Sequence, residues 1–304
     1  VFAILAIGLW LNSMVSHSLQ ALDPDRPLHS YRQRLWNQKT TPRLSRLNVS
    51  GIFQDSRGLL WLRDPSGMTT FDGLEFTTLE GDPEQSVYWG SIPGREGAIY
   101  TNCSRQIIHQ TEHEILYRYG SADGLTGNQF DVIMLDRDGR LWVGSETALH
   151  VLDPNQTGVF KLKETEEEKL LFRAILQDER GNIWCGTASH GLLILDPSAH
   201  QPILRQVGLP TLDIQALCLD KLGHLWLGTR NNGLLRVDPQ DIHVSQSYPG
   251  LELASITGLI EDSAGCIWGT TVSDGLFRIR GDQLEILSEM EGLASNSLRT
   301  VYED

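Results

Sequence analysis

The chain has 304 residues, 40% of them hydrophobic, with 29 glycines and a formal net charge of −14. That length suits one large all-β domain or two ordinary domains. The acidity argues against nucleic acid, which needs a basic face, and against anionic lipid; it bears on partners and solubility rather than on fold.

The opening stretch VFAILAIGLWLNSMVSHSLQALDP carries no charged side chain before Asp23. Phe2 to Val15 is apolar except for Asn12 and Ser13, a length that fits a signal-peptide core better than a membrane span. Ser16 and Ser18 put small residues at −3 and −1 of a cut after Ser18. Residues 1–18 are therefore expected to be a signal peptide, with an uncleaved anchor as the alternative. The basic flank is missing and residue 1 is Val, which places the true start upstream. Residues 19–46 form a lead-in segment and 47–304 a repeat array. Export permits disulfides, but Cys103, Cys185, Cys218 and Cys266 form no CxxC pair and sit at different offsets of the repeat. They are expected to be free, packed thiols.

The repeat opens weakly with DSRGLLWLRD (55–64) and GREGAIYTNC (94–103), where Tyr100 takes the place of Trp. It then runs clearly through DRDGRLWVGS from 136, DERGNIWCGT from 178, DKLGHLWLGT from 220 and DSAGCIWGTT from 262. From Asp136 to Asp304 the Asp recurs every 42 residues, and so does the Trp from Trp142 to Trp268. Six units are visible, and Asp304 reads as the first residue of a seventh, incomplete one. Within one unit, IQALCLD (214–220) is an apolar run ending in a Gly223 turn, and HLWLGT (224–229) is a second strand. Asn231-Asn232-Gly233 signals a hairpin into LLRVD (234–238), and HVSQSY (243–248) can form a fourth, more polar strand. Four short strands in every 40–45 residues is the signature of an all-β propeller.

In such an array Asp55, Gly58 and Trp61, Asp136, Gly139 and Trp142, Asp178, Gly181 and Trp184, Asp220, Gly223 and Trp226, and Asp262, Gly265 and Trp268 read as scaffold. The Trp supplies buried area at each blade joint. The Asp accepts hydrogen bonds from amides of the turn that Gly closes. An array of ligand-binding Trp residues is the alternative, but a ring locked at a joint has no free face.

The pattern D-x-x-G-x-[LI]-W-x-G-[TS]-x(3–4)-G-L-x-x-[LV]-D resembles the two-component regulator propeller repeat. DGLTGNQF (123–130) and EGLASNSL (291–298) resemble that family's linkers between repeats, and ALDPDRPLHSYRQRLWNQ (21–38) resembles the start of exported propeller sensors. The resemblance implies the periplasmic sensory part of a Gram-negative receptor tethered to the inner membrane. A transmembrane span and a histidine kinase or diguanylate cyclase output would follow downstream. It also implies a dimer in the full receptor and an unknown small-molecule ligand, with carbohydrate breakdown products the leading class.

Loops that vary on a repeated scaffold are where recognition concentrates. The loops between second and third strands, with the equivalent end of unit one, supply Arg63, Asp64, Arg105, Glu146, His190, Arg230, Asn231, Asn232 and Asp274 as ligand-binding candidates. Such side chains suit hydroxyl-rich or acidic ligands; the alternative is that they are solvated hairpin tips. No metal site and no cofactor is expected. Asp136 to Gly139 resembles the head of a calcium loop, but Thr147 stands where its closing Glu would be. The nine His form no H-x-H pair. The acidic run 163–171 reads as a solvated connection, and Trp89 as a packed residue of unit two. A non-catalytic sensor is thus the leading expectation. The alternatives are an exported propeller enzyme, such as a lyase or lactonase, or a protein-binding adaptor.

Overall fold

Each repeat forms one four-stranded antiparallel meander, and six such sheets succeed one another along the chain. The blades cover residues 51–78, 88–119, 130–160, 172–206, 214–247 and 256–287. In this computed structural model the described residues are 4–5, 25–31, 35–36, 49–64, 67–79, 88–103, 105–153, 158–160, 169–209 and 212–303. Blade 5 shows the plan, with strands Ile214–Leu219, Leu225–Thr229, Leu234–Val237 and Val244–Ser247. The first strand of each blade touches the first strand of the next, so first strands line the axis and fourth strands form the rim. Nearly all of residues 1–18, most of the 163–171 run and Asp304 lie outside the described residues. Ile4–Leu5 pairs with Leu35–Trp36. Among the described residues no helix is long and apolar enough to cross a membrane.

The repeated Asp holds more than its turn. Its Oδ1 accepts turn amides, as in blade 3 from Asp138 at 3.0 Å and Arg140 at 2.9 Å. Its Oδ2 accepts the indole N–H of the Trp six residues on. That bond is 3.0 Å from Trp61, 2.8 Å from Trp142, 2.9 Å from Trp184, 2.8 Å from Trp226 and 2.7 Å from Trp268. One buried carboxylate therefore ties the turn to the ring that fills the joint.

Each ring then packs on the following blade. Trp142 meets Phe172 and Ile183, Trp184 meets Ile214 and Leu225, and Trp226 meets Ile256 and Phe277. The Gly two residues after each of these Trp lets the next first strand approach. A Cβ on Gly144, Gly186 or Gly228 would stand 2.5, 2.6 and 2.6 Å from Phe172, Ile214 and Ile256. In blade 6 the Gly falls one place earlier. A Cβ on Gly269 would lie 2.1 Å from the Phe277 ring, and Thr270, in the usual Gly position, bonds Thr257 at 2.9 Å.

Trp268 is covered by Leu28, Tyr31, Leu293 and Leu298. Residues 298–303 stand to blade 6 as its first strand stands to blade 5: Glu303 accepts the Ser263 amide at 2.8 Å, just as Glu261 accepts that of Lys221 at 2.9 Å. The lead-in segment also reaches blade 1, where Trp36 lies 5.7 Å from Phe71 and 6.0 Å from Phe76 between ring centroids. Cys103, Cys185 and Cys266 are buried, Cys218 is half-buried, and none of the four forms a disulfide.

Asp178→Ala strands the buried Trp184 N–H and the Asn182 amide. It should lower the unfolding free energy by about 3 kcal/mol in urea titrations. The clamp also sets acid stability. Burial raises the Asp55 and Asp136 carboxyls, but bonds from the indoles, the turn amides and Arg57 or Arg140 outweigh it and hold both below their ordinary 3.8. Their contribution is complete above that ordinary value and is lost as pH falls through the lower folded values. Thermal unfolding followed against pH should show this loss below about pH 4.

Candidate functional site

The second residue of the first strand is polar in blades 3 to 6: Asp131, Arg173, Gln215 and Thr257, each 42 residues from the next. A buried strand sandwiched between blades should not tolerate this on either packed face. The reason it can is a register shift at the same place in each strand, between 130 and 132, 172 and 174, 214 and 216, and 256 and 258. A bulge releases one residue from the alternation and re-aims its side chain. Because first strands line the axis, these four positions fall at the same end of neighbouring inner strands.

Asp131 and Arg173, from adjacent blades, stand 4.0 Å apart, with their side chains 6% and 31% exposed. Gln129 donates to Asp131 Oδ1 at 2.5 Å, while Asp131 Oδ2 and Arg173 Nε have no hydrogen-bond partner. Burial pushes the Asp131 carboxyl above its ordinary value; Gln129 and Arg173 only partly counter this, and nearby Glu146 adds to it. Gln215 bonds Asp213, which also accepts Arg230 Nε at 3.0 Å. Thr257 Oγ1 donates to the Leu298 carbonyl at 2.9 Å. An acid, a guanidinium, an amide and a hydroxyl thus occupy one end of the inner strands, and the charged pair is incompletely satisfied. Such a set can hold a hydroxyl-rich or zwitterionic small molecule through charge-assisted bonds.

The loop residues singled out from the sequence divide into separate groups. Arg63 is not a loop residue: it lies in the strand Leu60–Asp64, is buried, and donates to the Ser50 carbonyl at 3.0 Å. Every later second strand likewise ends three residues past its Trp, so Arg63, two past Trp61, occupies the place inside the strand where blades 3 to 5 carry Gly. Asp64 ends that strand, and its side chain lies outside the described residues, as does that of Trp89. Arg105 is exposed in the turn after Ile99–Cys103. Glu146 anchors the linker into blade 3, accepting the Asn128 and Gln129 amides at 3.0 Å each. Burial raises its carboxyl, but those bonds prevail and hold it below its ordinary value.

His190, Asn232 and Asp274 sit in hairpins tied by the repeat's own Thr. Their amides donate to the hydroxyls of Thr187, Thr229 and Thr271 at 2.9, 2.8 and 2.7 Å. Asn231 and Asn232 are exposed. Of the nine candidates, Glu146 and Arg230 reach the axial ring, one beside Asp131 and the other through Asp213. The ring residues themselves went unread because they are four different residue types; their shared 42-residue spacing was the available signal.

Radially arranged four-stranded blades define the class, a six-bladed β-propeller. Residues 124–147 and 208–231 match the profile of the two component regulator propeller. No curated protein matches the chain significantly. Among solved structures it is similar to the extracellular domain of BT4673 from B. thetaiotaomicron, described as a hybrid two component system. The TM-score is 0.70 at 21% identity, over 84% of this chain and 35% of that one. BT3049 of the same organism gives 0.61 at 17% identity, over 84% and 43%. Virginiamycin B lyase from Staphylococcus aureus gives 0.68 at 12% identity, over 84% and 88%. This chain therefore spans well under half the length of the sensor domains it resembles.

Asp131→Asn should make the protein more stable at neutral pH. A carboxyl whose folded value is raised destabilises the native state wherever it is ionised, and the amide removes that cost. Urea midpoints at pH 7 measure this; a lower midpoint for the variant would mean that the carboxylate stabilises the fold.

Proposed function

We propose that the chain is the non-catalytic, ligand-sensing propeller of an exported receptor, and that its ligand binds the axial ring around Asp131 and Arg173. The observation that carries this reading is the under-satisfied acid–guanidinium pair, delivered by bulges on the best-anchored strands of the fold. The regulator repeat and the likeness to extracellular sensor domains support a periplasmic setting, with a membrane span and an output module elsewhere in the receptor. A carbohydrate-derived compound, uronic acids included, suits the mixture of charge, amide and hydroxyl. Binding acts on the receptor only through a difference in affinity between two arrangements of the propeller with its dimer mate or its membrane-proximal neighbour.

Thermal-shift screening of neutral sugars and uronic acids tests the site. A ligand at a hundredfold excess over its Kd adds about 2.7 kcal/mol to stability. At least one compound should raise the Tm of the native protein and fail to raise that of Arg173→Ala. Equal shifts in both proteins would place binding elsewhere. A second reading, an exported lyase, draws on the likeness to virginiamycin B lyase; consumption of quinupristin, the ligand named with that enzyme's inactive form, would favour it.

A further inference from the structure

Blade 2 departs from the clamp that closes the later joints. Gly94 stands where the Asp should be, and Tyr100 replaces the Trp. Tyr100 instead stacks on His109, with ring centroids 4.3 Å apart and planes 9° apart. Neither side chain has a hydrogen-bond partner among the described residues. A cavity of about 650 Å³ lies between the turns of blades 2 and 3. Tyr100, His109 and Leu135 line it within, Leu116 borders it, and Arg95 comes from the blade 2 turn. A volume of 300–1,000 Å³ is ordinary for a small-molecule site.

The charges there are not equivalent. Arg140 is committed to Asp136 at 2.7 Å and to Asp138 at 3.0 Å, and Asp153 has an interaction of its own. Arg95 has no ion-pair partner among the described residues, and its guanidinium leans over the blade 3 turn, 2.9 Å from where a Gly139 Cβ would lie. Burial keeps His109 below its ordinary value, so it offers hydrogen bonds rather than charge at neutral pH. One uncommitted cation beside an aromatic and aliphatic wall calls for one negative charge on a flat apolar body. Exposed Glu96 on the same rim disfavours a second negative charge.

We propose that this cavity is a second binding site, selective for a small aromatic monocarboxylate, with the carboxylate on Arg95 and the ring against the Tyr100–His109 pair. The site exists because the repeat is broken here, and it is independent of the axial ring.

Titration calorimetry with benzoate as the probe, and benzamide as its uncharged counterpart, tests this on the full chain. Benzoate should bind saturably, and benzamide much more weakly. Arg95→Ala removes an exposed side chain and should weaken benzoate about tenfold, as loss of one charge-assisted bond does. Tyr100→Trp fills the cavity with a larger ring and should abolish binding in a protein that still unfolds cooperatively. Arg173→Ala, at the axial ring, should leave benzoate affinity unchanged. Absence of saturable benzoate binding, equal affinity for benzamide, or undiminished binding in Arg95→Ala would each overturn the proposal.

Discussion

One buried carboxylate in each of five blades carries the architecture. It closes its own turn through Oδ1 and fixes an indole through Oδ2, and that indole is the surface on which the next blade rests. A carboxylate that had to satisfy only a turn could be replaced by Asn or Ser with little loss. This one also positions a ring of 150–250 Å², so local turn chemistry and long-range packing cannot vary independently. The Gly two residues past the Trp completes the device, because a close joint requires that the facing strand meet no Cβ. The departures then make sense as a group. Blade 6 moves its Gly to accommodate Phe277 within its own sheet, and blade 2, without Asp or Trp, packs Tyr100 and Ile107 against Phe130, Ile133 and Leu141 of blade 3.

A scaffold tied in this way can tolerate unfavourable groups near its axis. Asp131 is almost fully buried, has an oxygen without a hydrogen-bond partner, and faces a guanidinium at salt-bridge rather than hydrogen-bond distance. Packing alone would select against such a pair, and a buried charge short of partners is characteristic of binding sites. The bulge lets it exist, since it takes the residue out of the ladder's alternation and re-aims its side chain. The hairpin tips around the same mouth are held by Thr hydroxyls and by Asp213 and Glu146. They frame the ring more than they compete with it.

The blade plan was legible from the sequence because Asp, Gly and Trp recur at one spacing, and each is nearly irreplaceable in its role. The turn bonds of Asp were readable; its bond to the indole was not, because that depends on how far the second strand folds back over the turn. Arg63 was misread because it was grouped with the loop that follows the second strand, whereas it stands two residues past Trp61 inside a strand that continues through Asp64. The axial ring was hidden for a different reason. Asp131, Arg173, Gln215 and Thr257 share a position but no residue type. What brings them together is a register shift between strands, and pairing register has no local signature in this sequence. Their only trace is a polar residue in an otherwise apolar run, repeated at 42 residues.

The most direct test of this account is a crystal structure of the protein grown with the compound that stabilises it most in solution. The account predicts ligand density at the channel mouth, with polar atoms of the ligand within hydrogen-bond distance of Asp131 Oδ2 and Arg173. A ligand seated only on the outer hairpins, near Arg230 to Asn232 or Asp274, with the Asp131–Arg173 pair unchanged, would contradict it.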